Sequence, residues 1–220
     1  KRKFSVHDRK EFYFGCDERA IYRVCRGRPG PKSEEFTFYY DDVAPTGIVY
    51  DGSAVARENG AYIPAQALKY VASDSGSGIA DCYVRMPGTA YYTDYVSGAQ
   101  LTAEGTYYFK CIDRAGNVSE VTSVTLDKTE PKGLLYAGGT GIPNGSATNA
   151  EYIAFEAYDA IGIMECYVKK PNANKYEAYV PGTHLAEEGE YSFYAKDLSG
   201  RSSGACTLTL SRAIPSAQLY

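Results

Sequence analysis

The sequence predicts an all-β protein built from tandem antiparallel β-sandwich repeats. Three observations support that fold class: self-similarity at a spacing of about 85 residues, hydrophobic alternation of period two inside each copy, and clusters of Gly, Pro, Ser, Asn and Asp that punctuate the chain about every 8–12 residues.

Residues 45–50, 131–136 and 215–220 each open on Pro and close on Tyr. Between these markers two segments match at a constant offset of 84. Cys82-Tyr83-Val84 falls on Cys166-Tyr167-Val168, and Tyr95-Val96 with Gly98 falls on Tyr179-Val180 with Gly182. Leu101, Glu104-Gly105, Tyr107 and Phe109 fall on Leu185, Glu188-Gly189, Tyr191 and Phe193. Asp113, Gly116, Ser119 and Thr125-Leu126 fall on Asp197, Gly200, Ser203 and Thr209-Leu210. Chance does not hold that register, so residues 45–130 and 131–214 are two full repeats. Residues 1–44 fit as the back half of an earlier, degenerate copy, with Tyr22, Cys25, Gly30 and Ser33 standing where the next copy has Tyr108, Cys111, Gly116 and Ser119. Residues 215–220 read as the start of a further repeat or a linker.

Each repeat reads as strands. In 105–113, Tyr107, Phe109 and Cys111 share one face, and the second copy keeps Tyr191, Phe193 and Ala195 there. Cys82, Val84 and Met86 alternate with Tyr83 and Arg85 in the same way. Segments 120–126 and 204–210 are rich in the Val, Thr and Leu that suit a half-buried pleated surface. Turns are expected at 74–78, Pro87-Gly88, Ser97-Gly98 and 115–117.

Composition bounds the partners. The 220 residues carry a formal charge of −4, which gives no electrostatic case for nucleic acid or an anionic membrane. No apolar run is long enough to insert into a bilayer, and the start Lys1-Arg2-Lys3 lacks the apolar segment of a signal peptide, so a targeting segment is expected to be absent or already removed. Tyrosine is the outlier, with 22 residues against no tryptophan.

No catalytic constellation is expected. His7 and His184 lack a matched nucleophile, no phosphate-cradling glycine motif opens a helix, and the adjacent acids Glu187 and Glu188 read as solvated charge on a turn. The six cysteines divide as Cys16 and Cys25, Cys82 and Cys111, and Cys166 and Cys206. Two per unit favours bridges in an oxidising compartment; the alternative is small, buried, reduced core residues. Cys82 and Cys111 face inward on strands expected to be neighbours, so a disulfide there is geometrically open. The second copy has Ala195 at the second position, and Cys206 belongs to a strand one too far away.

Two features are candidates for binding. The first is acidic: a sandwich topology brings Asp74 and Asp113 toward Asp41 and Asp42 of the entering segment, and Asp159 and Asp197 toward Asp127. No cofactor is expected; calcium is the one left open, since carboxylates and loop carbonyls at a joint could supply the six to eight oxygens it takes. The alternative is that Asp113 and Asp197 make side-chain turns with their own backbone. The second is aromatic: Tyr83 and Tyr108, then Tyr167 and Tyr194, point away from the core, extended by Tyr91, Tyr92, Tyr176 and Tyr179. Such a surface stacks on sugars or docks protein, or else is cross-strand pairing that stabilises the sheet.

Glu104-Gly105-Thr106-Tyr107-Tyr108-Phe109 leading to Asp113-Arg114-Ala115-Gly116-Asn117 resembles bacterial immunoglobulin-like repeats of secreted and cell-surface proteins. So do Ser73-Asp74-Ser75-Gly76-Ser77-Gly78-Ile79 and the inter-repeat Asp127-Lys128-Thr129-Glu130-Pro131. The second copy departs from this pattern, with Asp197-Leu198-Ser199-Gly200-Arg201 at the turn and the shorter Asp159-Ala160-Ile161-Gly162 at the loop. The resemblance implies an immunoglobulin-like or fibronectin type III-like sandwich in a non-catalytic stalk, spacer or adhesive region at a bacterial surface. The implied partners are neighbouring repeats of the same chain and, for an adhesive module, a glycan or a host or cell-surface protein. An accessory region of a secreted enzyme, or a subunit polymerised by strand complementation, are the alternatives.

Overall fold

The computed structural model describes residues 3–6, 10–13 and 41–213. Strand β1 (Lys3–Val6) pairs antiparallel with β2 (Lys10–Tyr13), Lys3 opposite Tyr13. The expectations for 14–40, including Cys16 and Cys25, and that for His7 lie outside the described residues, as does 215–220.

The rest falls into two compact units, one ending in Ala67–Thr125 and one made of Tyr62–Gln66 with the chain from Leu126 onward. The first repeat contributes β3 (Thr46–Asp51), β4 (Ala56–Arg57), β5 (Tyr62–Pro64), β6 (Leu68–Ser73), β7 (Ile79–Arg85), β8 (Thr93–Asp94), β9 (Gln100–Leu101), β10 (Gly105–Asp113) and β11 (Thr122–Asp127). One sheet runs β4-β3-β6-β9 and the other β5-β11-β10-β7-β8. The second repeat contributes β12 (Lys132–Ala137), β13 (Thr140–Ile142), β14 (Ser146–Thr148), β15 (Ile153–Tyr158), β16 (Ile163–Lys169), β17 (Glu177–Tyr179), β18 (Gly189–Asp197) and β19 (Cys206–Leu210). Its sheets run β13-β12-β15 and β14-β19-β18-β16-β17. The architecture is the all-β sandwich that the alternation implies.

The edge pairing of the second repeat departs from the expected antiparallel scheme. β14 runs parallel to β19, Ser146 opposite Leu208 and Thr148 opposite Leu210. The chain leaves β13 in one sheet, turns at Pro143-Asn144-Gly145 and joins the edge of the other, so it arrives alongside the last strand rather than folding back on it.

The alternation resolves as expected. On β10, Tyr107, Phe109 and Cys111 are buried; on β18, Tyr191, Phe193 and Ala195 are. Aromatic rings stack through both cores: Tyr70 on Phe109 at 4.7 Å between centroids, and Phe155 on Phe193 at 5.0 Å. A second set of matched residues ties the loops to the core. Tyr95 Oη accepts from Tyr70 N (2.9 Å) and donates to Ala99 O (2.5 Å); Tyr179 Oη accepts from Phe155 N (3.0 Å) and donates to Thr183 O (2.6 Å). Tyr107 Oη donates to Ala103 O and Tyr191 Oη to Glu187 O. Ser119 Oγ accepts from Cys111 N and Ser203 Oγ from Ala195 N, both at 2.9 Å. These bonds let tyrosine fill a core while its hydroxyl stays satisfied, which a buried polar tip requires.

The paired glycines have a local reason. Gly105 (φ +119°) and Gly189 (φ +136°) open β10 and β18 in left-handed backbone, and an added Cβ would stand 2.8 Å from Pro87 Cβ and 2.6 Å from Pro171 Cβ.

Candidate functional site

The acidic residues assemble into two groups, each with carboxylate oxygens within 4.8 Å of one another: Asp41, Asp74 and Asp113, and Asp127, Asp159 and Asp197. Asp42 is exposed and stands outside both groups.

In the first group, Asp113 ends β10 and shapes the following turn through Oδ1, which accepts from Ala115 N (2.9 Å) and Asn117 N (2.8 Å). Its Oδ2 accepts from the Asn117 amide (2.8 Å), which also reaches Asp41 O (3.0 Å) and Val43 O (3.4 Å). Asp41 accepts from Val43 N (3.1 Å) and Ser77 N (2.7 Å), and hydrogen bonds from Ser77, then Val43, hold its carboxyl below the usual range. Asp74 Oδ2 caps the loop by accepting from Gly76 N and Gly78 N.

The second group is deeper. Asp197 ends β18 and is fully buried; Oδ1 accepts from Ser199 N (2.9 Å), Ser199 Oγ (2.8 Å) and Arg201 N (2.9 Å). Asp127 ends β11, is also fully buried, and accepts from Thr129 N at Oδ1 (3.2 Å). Asp159 accepts from Ile161 N (2.8 Å) and Gly162 N (3.2 Å) at Oδ1 and from Thr129 Oγ1 (3.3 Å) at Oδ2. Asp127 Oδ2 and Asp197 Oδ2 are buried without a hydrogen bond. Burial, reinforced by the charges of Asp197 and Asp159, pushes the Asp127 carboxyl up, against the opposing hydrogen bond of Thr129. The single Ser199 hydroxyl proton goes to Asp197 Oδ1, so it leaves Asp127 Oδ2 unsatisfied. The turn-forming role expected of Asp113 and Asp197 is thus present in both copies, and it uses only one oxygen of Asp197.

The outward tyrosines follow two different patterns. In the first repeat they alternate with cations. Tyr108 lies opposite Arg85 and Tyr83 opposite Lys110. The Arg85 guanidinium sits 3.7 Å from the Tyr108 centroid, and Lys110 Nζ sits 4.6 Å from Tyr92 and 5.6 Å from Tyr83. In the second repeat Tyr167 and Tyr194 are directly opposed and stack at 4.7 Å, with Tyr176 edge-on to Tyr194 at 4.8 Å. Tyr167 also hydrogen-bonds Glu165. Tyr91 extends this kind of surface at 68% exposure, but Tyr179 does not. It pairs with Cys166 on β17 and so shares that residue's inward face, its ring edge-on to Phe155 and Phe193.

Cys82 and Cys111, the pair expected to be able to bridge, are directly opposed across β7 and β10, and both are free buried thiols. Tyr95 N donates to Cys82 O and Ser119 N to Cys111 O, so each backbone points away from the other and the pair is a close, non-hydrogen-bonded one. Cys166 faces Ala195, and Cys206 pairs with Phe193 on the far side of β18. Burial, with Cys111 and Asp81 adding to it, pushes the Cys82 thiol up to about 11. His184 is exposed and stacks on Tyr152 at 3.7 Å.

Neither a family profile nor a curated protein sequence matches the chain. Among solved structures it is similar to the fibronectin(III)-like modules of Clostridium thermocellum CbhA, at 18% identity over 78% of this chain and 99% of that one, with a TM-score of 0.31. It is also similar to SGBP-B of the Bacteroides ovatus mixed-linkage glucan utilization locus, solved with a mixed-linkage heptasaccharide, at 14% identity over 95% of this chain and 63% of that one, with a TM-score of 0.21. Among the described residues no helix is long and apolar enough to cross a membrane.

Proposed function

We propose that this chain is a non-catalytic extracellular repeat region serving as a structural spacer at a bacterial surface. One observation carries the reading: the tyrosine and serine hydroxyls that recur at an offset of 84 on the inward face are consumed in building the module. Tyr95 and Tyr179, Tyr107 and Tyr191, Ser119 and Ser203 each spend their polar atoms on the unit's own backbone. A sequence that repeats its scaffolding, while its outward positions differ from copy to copy, fits a part whose task is to be a folded unit in series. The resemblance to bacterial immunoglobulin-like repeats supports the surface location.

The half-buried Tyr83, Tyr92 and Tyr108, interleaved with Arg85 and Lys110, favour a second reading, an adhesive face for a glycan or protein. A glycan and extracellular-protein binding screen on the whole chain separates the two. The spacer reading expects no saturable ligand. Saturable binding lost in Tyr83→Ala/Tyr108→Ala or Tyr167→Ala/Tyr194→Ala overturns it in favour of adhesion, and hydrolytic activity of the purified chain overturns both.

A further inference from the structure

We propose that Asp127, Asp159 and Asp197 form a binding site for a hard divalent cation, and that the ion is calcium. Three carboxylates converge within 4.8 Å. Two of them are fully buried, and each of those presents one oxygen that no donor meets. Their other oxygens are tied to the N–H groups of Thr129, Ser199 and Arg201, while Ile161 and Gly162 hold Asp159. The carboxylates are therefore oriented before any ion arrives. Arg201 does not neutralise them: its guanidinium donates to Lys128 O and Asp127 O, both at 3.3 Å, makes no ion pair with the three acids, and leaves Nε without a partner. Unpaired buried charge is strongly unfavourable, and a divalent ion among the three carboxylates offsets two of their three negative charges at once.

The donor set selects the ion. It is all oxygen, with no thiolate or imidazole, which disfavours zinc. Carboxylates from three separate loops, of irregular geometry, suit the six to eight oxygens that calcium accepts better than the strict octahedron of magnesium. Asp41, Asp74 and Asp113 serve as the internal control. There the Asn117 amide takes Asp113 Oδ2 and both Asp41 oxygens accept backbone N–H groups, so Asp74 Oδ1 alone is left buried without a hydrogen bond, against two such oxygens in the second group. Asn117 and Arg201 occupy matching positions, and that one exchange decides whether the second oxygen of the strand-end aspartate, Asp113 or Asp197, is met. This site stands independently of the spacer reading.

The test uses the chelator-stripped whole chain, with calcium chloride titrated calorimetrically and terbium, sensitised by the tyrosines, as a displaceable reporter. One calcium per chain is expected, with Kd on the order of 10⁻⁴–10⁻³ M. Asp159→Asn and Asp197→Asn should weaken it about tenfold or more, and Asp113→Asn should leave it unchanged. On the wild-type protein, calcium should shift the amide resonances of Thr129, Ile161, Gly162 and Ser199 and leave those of Val43, Ser77 and Ala115 in place, which decides the matter even where a variant fails to fold. The proposal is overturned by no saturable calcium signal up to about 10 mM, by binding that survives both variants, or by resonance shifts confined to other residues.

Discussion

The two repeats share a skeleton and differ on their outer faces. Position 108 is Tyr in the first copy, and its counterpart 192 is Ser; position 110 is Lys, and its counterpart 194 is Tyr. That exchange turns a ladder of alternating cations and rings into a stack of rings, with Tyr176 bonding Ser192 in the space that Tyr108 would fill. The same holds inside. Cys111 opposes Cys82, whereas Ala195 opposes Cys166. The comparison teaches that a sandwich of this size constrains its ring stacks and loop-tying hydroxyls, and leaves the residues between them to set local chemistry.

The comparison breaks most clearly at the shared skeleton. Phe109→Ala and Phe193→Ala each remove a ring stacked in the core, and each should cost about 3–5 kcal/mol in urea unfolding. A loss in one copy far smaller than in the other would show that the two cores are not equivalent.

A smaller effect tests the matched inward thiols by pH, since burial pushes up both Cys82 and Cys166. The Cys82 thiol is held protonated to about pH 11 in the folded state, against 9.0 for the free group. The unfolded chain therefore loses this proton first, so stability is unaffected well below pH 9 and falls as pH rises toward 11. The loss reaches roughly 2–3 kcal/mol, at about 1.4 kcal/mol per pH unit. Denaturation under reducing conditions at pH 8 and pH 11 should show that loss, and Cys82→Ala should reduce it. An unchanged difference in the variant would place the alkaline sensitivity elsewhere.

The smallest effect sharpens the outer-face contrast. Arg85→Ala removes the cation from the Tyr108 ring and should cost about 0.5–1 kcal/mol. Tyr194→Ala removes a ring stacked on Tyr167 and should cost about 0.5–1.5 kcal/mol beyond its lost area. Urea midpoints show whether the two faces differ; neither change moving its midpoint would mean both are decoration.

Most of the strands were legible because period-two alternation maps directly onto faces: Tyr107, Phe109 and Cys111 went inward as written. Tyr179 was misplaced because alternation restarts after each loop, and only its pairing with Cys166 shows that β17 turns it inward. The parallel edge was invisible for a related reason, since Ser146–Thr148 carries no pattern that distinguishes joining β19 from folding back on β15. The acidic residues were legible as groups. The difference between them was not, because it depends on where the side chains of Asn117 and Arg201 reach, and residue type alone does not fix that.

The parallel edge has a mechanical consequence. Because β14 and β19 run in the same direction, tension that reaches β14 from its N-terminal side and β19 from its C-terminal side drags one strand lengthwise past the other. The ladder from Ser146 and Leu208 to Thr148 and Leu210 then bears load across all its hydrogen bonds together, instead of opening one rung at a time as a hairpin pulled from its open end does. A short stretch of three paired residues thereby acts as a shear clamp, engaged once load passes β12 and β13, which precede β14 in the chain.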